Sequence, residues 1–270
     1  MAQERPPSLD PVAASRWAML PLSGQAKTAN ALTSPWLHEE VARRMEARLA
    51  FIKLQPHNWV CWNPVRAGLN ALTLLKQRYP QAKGFLKAQR PQEALQVQVL
   101  ARKPWWHPAS WFESRLQTSE IADNSMDVVW ANMLLHQSAD PQALLAQWHR
   151  ALSVNGFVMF SCLGPDTLKE LRAAYAQAGW PMPSHEFTDM HDWGDMLVHA
   201  GFAEPVMDME RITLTYESPE RLLDELRQLG RNFHTQRFAG LRGRTWYQQL
   251  QRALLALASP QHDGRLVLTI

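Results

Sequence analysis

Asp189, His191 and Asp192 place three metal-ligand side chains within four residues. A zinc site wants a fourth ligand at defined spacing. The trio reads more simply as a helix start, where the dipole favours acids, so no metal is expected. Asn132 and His136 follow the apolar run Met126–Ala131, and polar groups just past such a strand face the ligand cleft of an open α/β sheet. Arg227, Arg231, Arg237, Arg242 and Arg244 form a basic run suited to docking an acidic partner. The run has no nucleic-acid recognition motif, and a net charge of +3 gives no general case for nucleic acid. From Ala47 to Gln92 there is no Asp or Glu but eight Lys and Arg residues, which repels cations from whatever that stretch surrounds.

Helices and strands must position these groups. Ser34-Pro35 reads as N-cap and N1 of a helix, with Leu37, Val41, Met45, Leu49 and Ile52 as its apolar stripe. Trp59–Trp62, Met126–Ala131 and Phe157–Phe160 read as buried strands, with Gly84–Lys87 and Val97–Ala101 as weaker ones. Leu69–Arg78, Asp140–Leu152, Asp166–Gln177, Asp189–Ala200 (capped by Thr188), Ser218–Gly230 and Arg242–Ala258 read as helices. Val206–Tyr216 and Arg265–Ile270 close the pattern as strands, and Trp105, Trp106, Trp111 and Phe112 read as aromatics covering one end of a sheet. The alternation predicts a doubly wound parallel sheet. Residues 1–28, rich in Pro and small residues, read as a mobile tail, and 29–270 as a single domain. Two distant cysteines, Cys61 and Cys162, argue against a disulfide framework and fit a reducing cytoplasm. Neither a secretory signal nor an apolar run of membrane-spanning length is seen, and the last residue, Ile270, lies inside an apolar run.

Several strings carry a resemblance. Asp127-Val128-Val129-Trp130-Ala131-Asn132, and Arg150-Ala151-Leu152 before Asn155-Gly156, resemble class I S-adenosylmethionine-dependent methyltransferases. Leu163–Arg172, Phe187–Asp195 and Gly201–Asp208 are similar to BioC, the malonyl-acyl carrier protein O-methyltransferase of biotin precursor synthesis. The resemblance implies a Rossmann-like α/β fold: a seven-stranded, mostly parallel sheet with helices on both faces. It also implies a lid helix over 34–54, a helical insertion over 218–258, and a last strand running antiparallel between two others. It implies S-adenosylmethionine as cofactor and an acyl carrier protein as partner.

The family's glycine-rich first loop and its acids have changed here. The loop reads Cys61-Trp62-Asn63-Pro64-Val65-Arg66-Ala67-Gly68, and the second strand ends Lys87-Ala88-Gln89. If the donor binds, the resemblance leaves Trp62 or a loop tryptophan to stack on adenine, Asn63 and Gly68 for loop contacts, Gln89 for a ribose hydroxyl, and Asn132 and His136 in the cleft. Glu113 or Glu120 would meet the adenine amino group. Two alternatives share the same residues. One is a methyltransferase-fold binding or regulatory protein without the cofactor; the other is a protein-modifying relative of the complex I assembly type.

Overall fold

Helices and strands alternate along the residues that this computed structural model describes: 8–20, 32–101 and 116–270. In chain order they are α1 (Pro11–Met19), α2 (Trp36–Arg48), β1 (Asn58–Trp62), α3 (Pro64–Ala67), α4 (Asn70–Arg78), β2 (Lys83–Lys87), α5 (Pro91–Leu100) and β3 (Met126–Ala131). Then follow α6 (Pro141–Ala151), β4 (Leu152–Phe160), α7 (Lys169–Gln177), α8 (Met190–His199), β5 (Thr213–Tyr216), α9 (Pro219–Leu229), α10 (Arg244–Leu255), β6 (Ala258–Ser259) and β7 (Arg265–Thr269). The span expected as one domain divides into two compact units, Ala18–Cys162 and Leu163–Ile270, the latter joined by the described part of Met1–Trp17. The Trp105–Phe112 aromatics and Glu113 lie outside the described residues. Among the described residues no helix is long and apolar enough to cross a membrane.

The class is the expected one. Among the described residues, however, the strands form two sheets rather than one. In Ala18–Cys162 four parallel strands run in the order β2-β1-β3-β4. The central strands β1 and β3 are almost wholly buried, as their unbroken apolar runs require when both faces of a parallel sheet are covered. Asp127 is the exception in β3. It accepts the His57 and Asn58 amides at 2.7 and 3.1 Å and the Ser153 hydroxyl at 2.7 Å, tying β1, β3 and β4 together. Burial pushes its carboxyl up, but those hydrogen bonds outweigh burial and hold it below the usual range.

Gly84 in β2 lies against Trp59, and a Cβ there would stand 2.4 Å from the Trp59 ring and 2.7 Å from Leu116. Gly84→Ala is therefore expected to lower stability by about 1–3 kcal/mol through overpacking. A fall in the urea midpoint at unchanged slope is the check; an unshifted midpoint would show that the indole moves aside freely.

In the other unit β7 lies between β5 and β6, antiparallel to both. Residues 8–19, expected in a tail, are instead tied in. Asp10 caps α1 by accepting the Val12 and Ala13 amides and pairs with Arg237 at 2.9 Å, while Ala14 and Trp17 are buried. Proline-rich composition concealed an Asp-Pro helix start.

Other local expectations shift for identifiable reasons. Val97–Leu100 is the last turn of α5 and Ala101 its C-cap; the Pro91 start sets a helical phase that buries Ala94 and Val97. Only 213–216 of the expected Val206–Tyr216 strand pairs with β7, and Val206 is exposed. Asp166 pairs with Arg211 and leaves Leu168 to start α7. Asp189, not Thr188, caps α8 by accepting the His191 amide, whereas Asp140 caps α6 as expected.

Candidate functional site

Ligands of parallel sheets bind where strands end at their carboxyl edge. There β1 runs into Asn63, whose φ of 50° is left-handed. The Asn63 amide donates to the Lys87 carbonyl at 2.6 Å, and its Oδ1 accepts the Gln89 amide at 2.9 Å. One asparagine thus joins the exits of β1 and β2. Pro64 at the first helical position turns the next residues into the single turn α3.

A shallow surface depression, too narrow to hold a water molecule, lies between these exits, and Asn63, Pro64, Val65, Ala88, Gln89 and Glu93 line it along with Arg66. Glu93 is the first acid after the acid-free stretch and sits in the first turn of α5. It is 9% exposed, and its Oε1 has no hydrogen-bond partner. The Arg90 guanidinium stands 3.5 Å away, too long for a hydrogen bond. Burial raises the Glu93 carboxyl above its ordinary value, although Arg66 and Arg90 pull it down.

At the other side of the β1 loop, α2 has taken the backbone groups. Glu39 accepts the Leu69 and Asn70 amides at 2.8 and 3.0 Å, and Ser34 Oγ accepts the Leu69 amide at 2.8 Å. These are orphan donors at the start of α4, capped by the side chains of a different segment. Ser34 therefore caps α4 and not its own helix, which has no side-chain cap. Asn132 Nδ2 donates to the carbonyls of His38, at 2.7 Å, and Ala67, and its Oδ1 accepts from Ser161 Oγ at 2.6 Å. His38 Nδ1 bonds the Arg66 carbonyl and so must carry the proton. Burial lowers the His38 pKa to about 4. Gly68, at φ 107°, lets α2 approach: a Cβ there would meet Glu39 Oε2 at 3.1 Å and the His38 carbonyl at 3.4 Å.

Asn63 and Gln89 thus line the same depression. The other four expected cofactor residues do not line it. Trp62 is 7% exposed and packs edge-on against Trp148 at 6.3 Å. Gly68 is spent on the α2 contact, Asn132 on the carbonyls just named, and His136 is buried beside Gln137. Glu120 is exposed on the way into β3. Asp189 and His191 bond each other at 2.6 Å, and among the described residues no three potential ligands are placed to hold a metal.

The arginine run is dispersed in role. Arg227 pairs with Asp224 and Arg231 lies over Trp17, while Arg237 pairs with Asp10. Arg242 sits 4.1 and 4.2 Å over the Phe238 and Trp246 rings, and Arg244 opens α10 exposed.

Glu39, His38 and Glu93 were not singled out by sequence. For Glu93 a signal existed: Pro91 at N1 with an acid two residues on marks a helix start.

A methyltransferase-domain family model matches residues 86–160. The malonyl-acyl carrier protein O-methyltransferase of Laribacter hongkongensis is 38% identical over 242 residues, covering 86% of this chain and 79% of that one. The protein of the same name from Gallionella capsiferriformans is 37% identical over 249 residues, covering 86% and 80%. The YcgJ protein of Bacillus subtilis resembles the chain in fold, with a TM-score of 0.52 at 12% identity, covering 84% of this chain and 94% of that one.

Proposed function

This chain belongs to the malonyl-acyl carrier protein O-methyltransferase family, and on that premise we propose that it methylates the free carboxylate of a malonyl group held by an acyl carrier protein. The single observation that carries the reading is that relationship, which extends along most of the chain.

The depression at the β1 and β2 exits sets apolar Pro64, Val65 and Ala88 beside polar Asn63, Gln89 and Glu93, and as it stands it is too narrow to take in S-adenosylmethionine. Glu39 and Asn132 already hold the backbone groups that follow β1. When bound, the cofactor supplies a methyl group on a sulfonium. The malonyl carboxylate is ionised at neutral pH, so its oxygen would already be nucleophilic toward the methyl group that the cofactor supplies, and no proton would have to move. The protein therefore needs no general base. Its work is to align the two groups and keep water out.

Carrier-protein docking is assigned in the same proposal to the exposed arginines Arg227, Arg231 and Arg244, with Arg237 and Arg242 holding the surface that presents them.

Methyl-labelled S-adenosylmethionine supplied with malonyl-acyl carrier protein should give a base-labile labelled ester. An acetyl-loaded carrier, which has no free carboxylate, should give none. Absence of the ester from folded protein, with the Laribacter relative active on the same carrier, would overturn the reading. The second reading, a binding or regulatory protein of the same fold, is favoured by one observation: α2 occupies the polar groups of the β1 loop. A flat calorimetric titration with S-adenosylmethionine to millimolar concentration would decide for it.

A further inference from the structure

We propose that segment 238–244, which joins α9 to α10, is the centre of the carrier-protein docking surface, with Arg242 as its fixed charge and Leu241 as its apolar contact. The proposal rests on the carrier-protein reading above. Across 226–262 the chain has no Asp or Glu but six arginines. Three of them are committed within the fold: Arg227 to Asp224, Arg237 to Asp10, and Arg231 to the carbonyls of Arg227 and Gly230. Arg242 and Arg244 have no acidic partner among the described residues, and they flank the start of α10. Cations at the positive end of a helix are unfavourable, and here neither an acid in the first turn nor a side-chain cap offsets them. An acidic partner would.

Arg242 differs from its neighbours in being held still. Its guanidinium carbon lies 4.1 Å from the centre of the Phe238 ring and 4.2 Å from that of Trp246. Trp246 packs at 5.5 Å on Trp180, and Trp180 edge-on at 5.2 Å on Tyr175, so the stack is rooted in α7 and α10. Stacking engages the faces of a guanidinium and leaves its in-plane N–H donors available. Among the described residues none of those donors of Arg242 makes a hydrogen bond. A fork fixed in this way loses little freedom when a carboxylate takes it. Beside it Leu241 is wholly exposed and Phe238 half exposed. A single exposed leucine is ordinary on a protein surface. Next to an immobilised arginine it gives a partner both a charge to pair and apolar area to cover, and arginine and aromatic residues are where interface energy concentrates. The match is a protein that presents carboxylates around an apolar side chain, as an acidic carrier does. A simple polyanion would leave Leu241 and Phe238 without a partner.

Affinity for malonyl-acyl carrier protein, read by biolayer interferometry on the full chain without S-adenosylmethionine, tests the assignment independently of turnover. Arg242→Ala should weaken binding roughly thirtyfold, the loss of an interface hot spot. Leu241→Asp should weaken it roughly tenfold or more, by repelling the carboxylates and removing the apolar contact. It should melt with the unaltered protein, because Leu241 is wholly exposed. Arg252→Ala, which removes an exposed arginine of α10 outside the segment, should cost about threefold or less, the reach of a screened surface charge. A Leu241→Asp variant that binds as tightly as the unaltered protein would overturn the proposal, whether or not Arg242→Ala folds. Equal losses from Arg242→Ala and Arg252→Ala would overturn it in favour of a diffuse basic field. Labelled ester formed by every variant at the unaltered KM would overturn the docking site and leave the methyltransferase reading intact. Carrier binding that weakens as expected, with no ester formed, would uphold the docking site and overturn the methyl transfer.

Discussion

Asn132→Ala should lower the melting temperature of Ala18–Cys162 by roughly 6–12 °C, the equivalent of about 3 kcal/mol in a unit of this size. Asn132 is 1% exposed, and its amide meets three groups from separate stretches of chain: the carbonyls of His38 and Ala67 and the hydroxyl of Ser161. Removing it strands those partners away from water, and each buried unpaired group costs about 1–3 kcal/mol. Asn132→Asp should be worse than the alanine variant. It matches the amide in shape but turns both donations into repulsion between a carboxylate oxygen and two carbonyl oxygens. Thermal unfolding followed by near-ultraviolet circular dichroism gives the comparison. If Asn132→Asp melts with the unaltered protein, the amide does not hold α2 in place.

Acidification should erode stability across the window from pH 6.5 to about 4, with His38 the cause. Burial keeps the folded imidazole neutral down to about 4, whereas the unfolded chain takes up its proton near 6.5. Between those values the unfolded state binds more protons, so stability rises with pH and is lost as pH falls. At about 1.4 kcal/mol per pH unit, the full window amounts to about 3 kcal/mol. Above 6.5 both states are neutral at this site, and below about 4 both are charged, so the slope vanishes at each end. Urea midpoints measured at intervals across the window, for the unaltered protein and His38→Gln, isolate the effect. The variant should be less stable at neutral pH, having lost the bond to the Arg66 carbonyl, and flatter with pH. Parallel curves would remove His38 as the cause.

Asn132 and His38 together hold α2 against the loop that follows β1. Weakening the latch through Asn132 thus costs stability and at the same time frees the Ala67 carbonyl and the loop around it.

Much of the architecture follows from local rules. Asp140-Pro141 and Ser218-Pro219 start helices because a side-chain acceptor and a proline suit the first turn wherever they occur. The unbroken apolar runs of β1 and β3 require burial on both faces. The strings Leu163–Arg172, Phe187–Asp195 and Gly201–Asp208 carry the family likeness without any folded contact being known. Helix phase is less secure. Reading Val97–Ala101 as a strand hid α5, and with it the acid that faces the depression.

Sequence alone therefore settled the α/β class, the family and the absence of a glycine-rich first loop, since each depends on residue types and short spacings. The tertiary structure decided what individual polar groups do. Gly68 and Asn132 carry the residue types of cofactor ligands, yet one admits α2 and the other bonds a carbonyl 94 residues earlier in the chain. Glu93 stands outside the expected position and still reaches the depression. A side chain's role is fixed by the partner that removes it from water, and when that partner comes from a remote segment only the folded chain identifies it.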